Sequence, residues 1–580
     1  MPTTIFWPAD VKHSGFCYGW TTPAICVAGV LKADSEQDAE AVLQALYHSV
    51  QWRYLATACQ SEPAIIGACE FFVKEGERHL AIPVLKLRTP IDYTLIYYHR
   101  HHSHTLRFYS LDGLKLDVVN RPDETKRSAY LPSAQHDFTA PKTAYFTSSI
   151  NEVIINQFNS AKTVEQALQT RHHRNRSHAS PMTLYTVLGA VLLRPLVLVS
   201  AFLDLICNVP IAPSLSSLLL KDISATVQQI DIRAEQMDFF AAEVGTLRRR
   251  MSTPMHIYSA RYTNFFNTVW LILNDITIGV ALGSFICENY IVLSRMLIST
   301  VEGSLIDRVQ WTLQWLDSWP AGLKLNTELS HFYSHTFIGL VTLWGGFLRQ
   351  GAPYLPLIIY FIGTLSCGGV TLAISLFLDM LALLTAHIYL CYVLSGAVYQ
   401  WMLKTAGSLW NLFRGKRYNV LRDRTDSWEY DLDQLLFGTI LFTLVAFLFP
   451  TVLAYYALFA LMRLCVLVLR ASLETLLAFM NHFPLFALML RVKDPWRLPG
   501  GIYFLLQEVS GTDHPLLIIK NQPLPLSNIF YQYIRLLSQL AKHYNPLRLL
   551  RCLFSGQYLA AIPRYSIRYN KIPVKRVNED

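Results

Sequence analysis

The stretch "RTDSWEYDLDQLLFGTILFTLVAFLFP" (424–450) sets Asp426, Glu429, Asp431 and Asp433 directly before a run of apolar residues. Its Asp-x-Asp would suit metal-dependent sugar-nucleotide transfer, since hard carboxylates hold a divalent cation. That chemistry needs a loop after a strand with a nucleotide pocket beside it. Here the chain runs on into an apolar segment. Acids at a helix start accept unpaired N–H groups and favour the positive end of the helix dipole. Asp431 and Asp433 are therefore read as helix-entry residues.

Other residues raise the same question of chemistry. His99, His101, His102 and His104 have metal-ligating side chains, but no carboxylate or Cys is placed to complete a shell, so a solvated loop is expected. Glu235 and Glu243, with seven residues between them, match the E-x7-E of one glycosyltransferase class. The nucleotide-binding lobes which that motif requires have no counterpart, because no strand–GxG–helix unit occurs. The ten cysteines form no CxxC or zinc spacing and read as small buried hydrophobes. Neither a metal nor a cofactor is expected.

The elements that must position these residues are set by composition. Of 580 residues 52% are hydrophobic and 16% charged, with mean hydropathy +0.27. Apolar runs at 184–207, 266–287, 335–349, 354–377, 380–403, 434–457 and 459–481 suggest about six to eight membrane elements, at about 20 residues per span. The fold class expected is mainly α: a polytopic transmembrane helical bundle with an N-terminal mixed α/β cytosolic domain. Residues 1–180 form that soluble domain, 181–490 the membrane region, and 491–580 a basic cytosolic tail. The start "MPTTIFWPADVKHSG" lacks a basic segment followed by an apolar core, so internal spans are expected to do the targeting.

Between runs, Ile223, Val227, Ile230, Ala234, Met237, Ala241 and Val244 recur at helical spacing over 222–250. This amphipathic helix is expected to lie on the membrane or against a partner. Arg194, Asp204, Asp275, Asp379, His387 and Arg463 fall inside or beside apolar segments. Such groups face protein or a cavity. Spread over many segments, they fit a multi-subunit bundle, and a transporter is the rival reading.

Charge suggests orientation. The net charge is +9, and residues 491–580 hold 13 Lys/Arg against 5 Asp/Glu. The loop 404–424 holds six Lys/Arg against one acid. Both are expected to be cytosolic and near anionic headgroups. "RRR" (248–250) falls on the same side by counting spans back, whereas a full crossing at 184–207 would put the N-terminal domain in the lumen.

Three stretches resemble one family: "NTVWLILNDITIGVALG" (267–283), "WPAGLKLNTEL" (319–329) and "NVLRDRTDSWEYDLDQLLFGTILFTLVAFLFPTVLAYY" (419–456). They are similar, in order, to the signature blocks of the PIG-Q family (the Gpi-one family in fungi). Members are the Q subunit of phosphatidylinositol N-acetylglucosaminyltransferase, and the match covers roughly 181–500. The resemblance implies the endoplasmic reticulum membrane and the first step of glycosylphosphatidylinositol anchor synthesis. There GlcNAc passes from UDP-GlcNAc to phosphatidylinositol on the cytosolic face. It further implies a separate catalytic chain of the PIG-A type, with PIG-C, PIG-H and PIG-P types as fellow subunits. No catalytic role transfers to any residue. Asn274, Asp275, Pro320, Gly322, Lys324, Asn326, Asp426, Asp431, Asp433 and Gln434 carry over as block positions, structural or partner-contacting. Arg414, Lys416, Arg417 and Arg422 are the candidates for a lipid headgroup, should this chain shape the acceptor pocket.

Overall fold

The computed structural model describes residues 3–47, 52, 56, 59–73, 81–87, 92–102, 105–111, 113–114, 150–170, 195, 197–209, 220–248, 255–318, 322, 325–419, 424–507, 516–543 and 545–558. His104, Arg194, Pro320, Lys324 and Arg422 lie outside them.

The N-terminal segment forms β1 (Thr3–Pro8), β2 (Gly15–Trp20), β3 (Ile25–Leu31), α1 (Glu36–Tyr47), β4 (Ala64–Val73), β5 (Ala81–Leu87), β6 (Tyr93–Tyr98) and α2 (Glu152–Thr170). β1 lies between β3 and β6 and is parallel to both. Trp20, Tyr98, Phe158 and Ile519 share the main core of this layer. Ile519 is a late arrival in sequence. It belongs to β10 (Leu516–Pro523), which pairs in parallel with β6 and antiparallel with β9 (Pro499–Gln507). The sheet order is β5-β4-β2-β3-β1-β6-β10-β9. The segment expected to be only a basic tail thus supplies two of the eight strands. Short apolar strands whose partners lie some 400 residues away show no local sign of that pairing.

The helical region begins with a short apolar helix, Val197–Cys207. Then come α3 (Ala225–Arg248), α4 (Met255–Thr300), a π-helical segment Val301–Asp307 and α5 (Arg308–Asp317). α6 (Thr327–Gly351) and α7 (Leu355–Leu365) follow, joined by one 3-10 turn. Next are α8 (Val370–Leu384) and α9 (Ala386–Phe413). A two-stranded tip, β7 (Lys416–Asn419) and β8 (Arg424–Ser427), leads into α10 (Leu432–His482). After α11 (Leu485–Lys493) and the β9–β10 hairpin come α12 (Tyr531–His543) and α13 (Pro546–Ser555).

Among the described residues, three continuous helical stretches are long and apolar enough to cross a membrane: Tyr258–Asp317, Thr327–Gly368 and Leu432–His482. Val370–Leu384 with Ala386–Phe413, bent by 51°, makes a fourth if the pair is one span. The expected six to eight elements merge because apolar runs were counted where turns were absent. The runs 434–457 and 459–481 are one helix of 51 residues, about 76 Å long at 1.5 Å per residue. No turn residues separate them, and Pro450 is accommodated within the helix. The real breaks fall at Gly369, whose φ is +137°, and at Thr385.

α9 and α10 are antiparallel, with Tyr399 stacked on Tyr456 at 4.3 Å and Phe413 against Phe442 nearer the tip. α6 runs alongside α10, Tyr333 meeting Tyr455 and Phe337 meeting Phe459. α4 and α7 cross closely. A Cβ on Gly279 or Gly283 would strike the backbone oxygens of Ser366 or Gly363. The pair Gly279 and Gly283 is a small-xxx-small face of the kind that lets helices touch backbone to backbone.

Candidate functional site

A cluster of buried and half-buried polar and charged side chains forms where α3, α4, α8 and α10 meet. Asp275 on α4 is buried and accepts from the Thr371 backbone N–H at 3.0 Å and the Thr371 hydroxyl at 2.9 Å. Arg233 on α3 pairs with the same carboxylate and also donates to Thr371 Oγ1 at 3.1 Å. Gln229 Nε2 reaches Thr371 Oγ1 and Asn481 Oδ1, each at 3.0 Å, and Asn481 Nδ2 returns a bond to Gln229 Oε1 at 2.9 Å. Gln236 accepts from Arg233 Nη1 at 2.7 Å.

The backbone is fitted to this node. Gly369 sits at positive φ beside Asp275, and any Cβ there would collide with Asp275 Oδ2. About two helical turns beyond Thr371 along α8, Asp379 accepts from the Ser224 hydroxyl (2.6 Å) and from the N–H groups of Ala225 (2.8 Å) and Thr226 (2.9 Å). A carboxylate from a neighbouring helix thereby caps the N-terminus of α3, where the dipole favours negative charge.

α3 therefore lies differently from the expectation. Gln229, Asp231, Gln236 and Glu243 are buried, whereas of the expected stripe Ala234 is buried, Ile223 is exposed and Ile230, Met237 and Val244 are only half-buried. The polar face is turned inward because its side chains find hydrogen-bonding partners there, and a buried polar group costs little once paired. Sequence spacing gives the two faces of a helix but not which one other polar groups await. Arg233, Gln229, Thr371 and Asn481 were missed for that reason. Their signal was a polar helix face together with isolated polar residues in apolar runs.

The remaining ionisable groups also find partners within this chain. His387 approaches the Leu305 carbonyl at 3.1 Å, in the π-helical segment, and Arg463 lies 4.7 Å from the Tyr389 ring centroid. Both face protein within this chain, one of the uses expected of such groups.

The other sequence candidates scatter. Asn274, next to Asp275, is exposed. Asn326 caps α6 by accepting from Leu329 N–H at 3.0 Å, and its own N–H donates to Thr451 Oγ1 at 3.0 Å. Gly322 adopts φ +76° in the turn before it. Asp431 occupies the N-cap position of α10, but its side chain makes no cap hydrogen bond, and Asp433 and Gln434 are exposed in the first turn. Asp426 pairs with Arg424 at 2.8 Å on β8. Arg414 is the C-cap residue of α9, Lys416 is on β7, and Arg417 lies 5.0 Å over the Trp428 ring. Among the described residues no three His, Cys, Asp or Glu come together as a metal site.

The histidine stretch follows the C-terminal end of β6. Arg100 is buried, bonded to Asp10 (2.7 Å) and Glu165 (3.3 Å). Burial would raise the Asp10 carboxyl, but hydrogen bonding and charge from Arg100 hold it below the usual carboxylate value. His101 is not solvated as expected. It packs on Tyr109 and Trp496, and burial, aided by the charges of His99 and Arg107, pushes it down to about 4.

Chemically, the four-helix node is closed. Asp275, acceptor-only when ionised, is met by three donors, and the close approach of Gly369 leaves no room for a substrate atom. It holds helices together.

A family model described as "N-acetylglucosaminyl transferase component (Gpi1)" matches residues 227–500, which include the node. The Schizosaccharomyces pombe "N-acetylglucosaminyl-phosphatidylinositol biosynthetic protein gpi1" is 32% identical over 520 residues, covering 84% of this chain and 79% of that protein. The Saccharomyces cerevisiae "Phosphatidylinositol N-acetylglucosaminyltransferase subunit GPI1" is 34% identical over 405 residues, 64% of this chain and 66% of its own length. Subunit Q of the same transferase from Mus musculus is 35% identical over 312 residues, 53% of this chain and 52% of its own. No solved structure matches. With 84% of its length aligned to the fission-yeast protein and residues 227–500 matched by the family model, this chain belongs to the Gpi1 (PIG-Q) family.

Proposed function

We propose that this chain is a non-catalytic, multi-pass subunit of the endoplasmic reticulum complex that transfers GlcNAc from UDP-GlcNAc to phosphatidylinositol. In this reading it assembles and stabilises a catalytic chain of the PIG-A type together with PIG-C, PIG-H and PIG-P types. The observation that carries the reading is the closed node. The polar groups best placed for chemistry are used up in joining α3, α4, α8 and α10.

Orientation follows from connectivity. β10 pairs with β6, so the N-terminal domain and the segment after Arg491 lie on one side. Four crossings satisfy this: α4–α5, α6–α7, α8–α9 and α10. They put the 318–326 turn and the 414–431 tip on the opposite face. The sheet side has the larger share of cations, including 13 Lys/Arg after residue 490, and is assigned to the cytosol. The tip, with Arg414, Lys416 and Arg417, then faces the lumen, the reverse of the cytosolic side expected from its own charge, and away from the expected reaction. This argues against those residues forming the acceptor pocket.

Purification in mild detergent tests the proposal. The chain alone should transfer no GlcNAc, while the catalytic chain should co-purify with it from native membranes. Transfer by the isolated chain, or purification without partners, overturns the reading.

A further inference from the structure

α13 has two apolar faces, of which only one is covered, and α12 beside it exposes Ile534 and Leu537. The inward face of α13 is Leu549, Cys552 and Leu553, packed against the core of α9 and α10. The join is tied by the Tyr456 hydroxyl donating to Leu553 O at 3.1 Å and Tyr399 Oη donating to Phe554 O at 3.2 Å. α12 is anchored by Tyr533, whose ring lies 5.6 Å from Phe479 of α10. The opposite face is bare: Leu547 is 75% exposed and Phe554 67%, with Leu550, Leu537 and Ile534 also exposed. Asn545 caps α13 and Gly556 closes it in the left-handed conformation, so the outward face is held rigidly.

The charge on this strap is one-sided. Residues 531–558 contain Arg535, Lys542, Arg548 and Arg551 and no Asp or Glu. Lys542, Arg548 and Arg551 are exposed. A helix with an apolar face flanked by cations, and with no carboxylates, matches the boundary between acyl chains and anionic headgroups. A protein surface would also have to neutralise those cations, whereas an anionic leaflet supplies both acyl chains and negative charge. The strap also lies directly against α9 and α10, the candidate spans.

We infer that the outward face of α12–α13 is a lipid-binding surface, seated in an anionic leaflet with Leu547, Leu550 and Phe554 among the acyl chains and Arg548 and Arg551 at the headgroups. The inference stands on the packing of this chain alone, whichever complex it joins.

The test uses the full chain with its co-purifying subunits in nanodiscs of phosphatidylserine and phosphatidylcholine. Benzoylphenylalanine placed at Leu550 or Phe554 is photoactivated, and the adducts are identified by mass spectrometry. Lipid adducts are expected, with phosphatidylserine favoured over phosphatidylcholine. One cation near an anionic surface contributes about 1 kcal/mol, so R548Q with R551Q should reduce that preference by on the order of 20- to 30-fold. Both arginines are exposed, so the variant is expected to fold. Adducts formed mainly with another protein chain, or lipid adducts whose headgroup preference survives the double substitution, overturn the inference.

Discussion

Asp275 and Arg233 bear on two elements at once, because each joins α3 to the span that carries its partner. Removing one member of such a pair leaves the other charge buried and costs about 3–5 kcal/mol, whereas removing both is far milder. D275A should therefore sharply lower the recovery of folded chain after mild heating in detergent, and D275N with R233Q should restore much of it. Normal recovery of D275A with transferase activity lost would instead make the node part of the reaction. His101 gives a second prediction at this scale. A free histidine titrates near 6.5, but burial pushes His101 down to about 4, so the folded chain keeps it neutral while the unfolded chain binds a proton. Its contribution to stability is complete above about pH 6.5 and is lost as pH falls toward 4. The melting temperature should drop between pH 7 and pH 5, and H101F should drop less. An unchanged pH slope in that variant removes His101 as the cause.

Helices in this chain are positioned by close approach as much as by apolar burial. Gly279 and Gly283 on α4 meet the backbone of Gly363 and Ser366, with no space for a side chain. Gly339 and Gly346 on α6, by contrast, have nothing within 4 Å of an added Cβ. G279L or G283L should separate α4 from α7 and abolish recovery of a monodisperse chain. G339A and G346A should be tolerated, since alanine suits a helix interior better than glycine by about 1 kcal/mol. Equal behaviour of the two sets in size-exclusion profiles would contradict this packing. The acids before α10 belong to the same scale. The entry to that helix was legible in "TDSWEYDLD", but the cap bond expected of Asp431 does not form, and Asp433 remains exposed beside the dipole.

The whole molecule is tied together by a sheet that closes over the ends of the chain. β9 and β10 reach back to β6, and the proposed four crossings would return the chain to the side it left. A protease or membrane-impermeant thiol reagent applied to sealed microsomes should reach both the N-terminal domain and tags placed after residue 491. The 416–428 tip should stay protected until the membrane is opened. Exposure of the tip together with the sheet domain would require α10 to end where it began, which one continuous 51-residue helix does not allow.

Composition alone pointed to apolar segments of membrane-crossing length, and the motif blocks alone pointed to the family, because lipid imposes apolar runs and a long specific motif survives without coordinates. That the N-terminal region mixes strands with helices was also legible, since periodicity and turn chemistry act over a few residues. Three things awaited the tertiary structure. Two tail strands complete the sheet. The polar face of α3 turns inward to Asp275, Thr371 and Asn481. Two apolar runs fuse into one helix. The first two depend on partners distant in sequence, and the third on the absence of any break between the runs. A residue's pattern states what it can bury or bond, and only the folded chain supplies the neighbour that decides which.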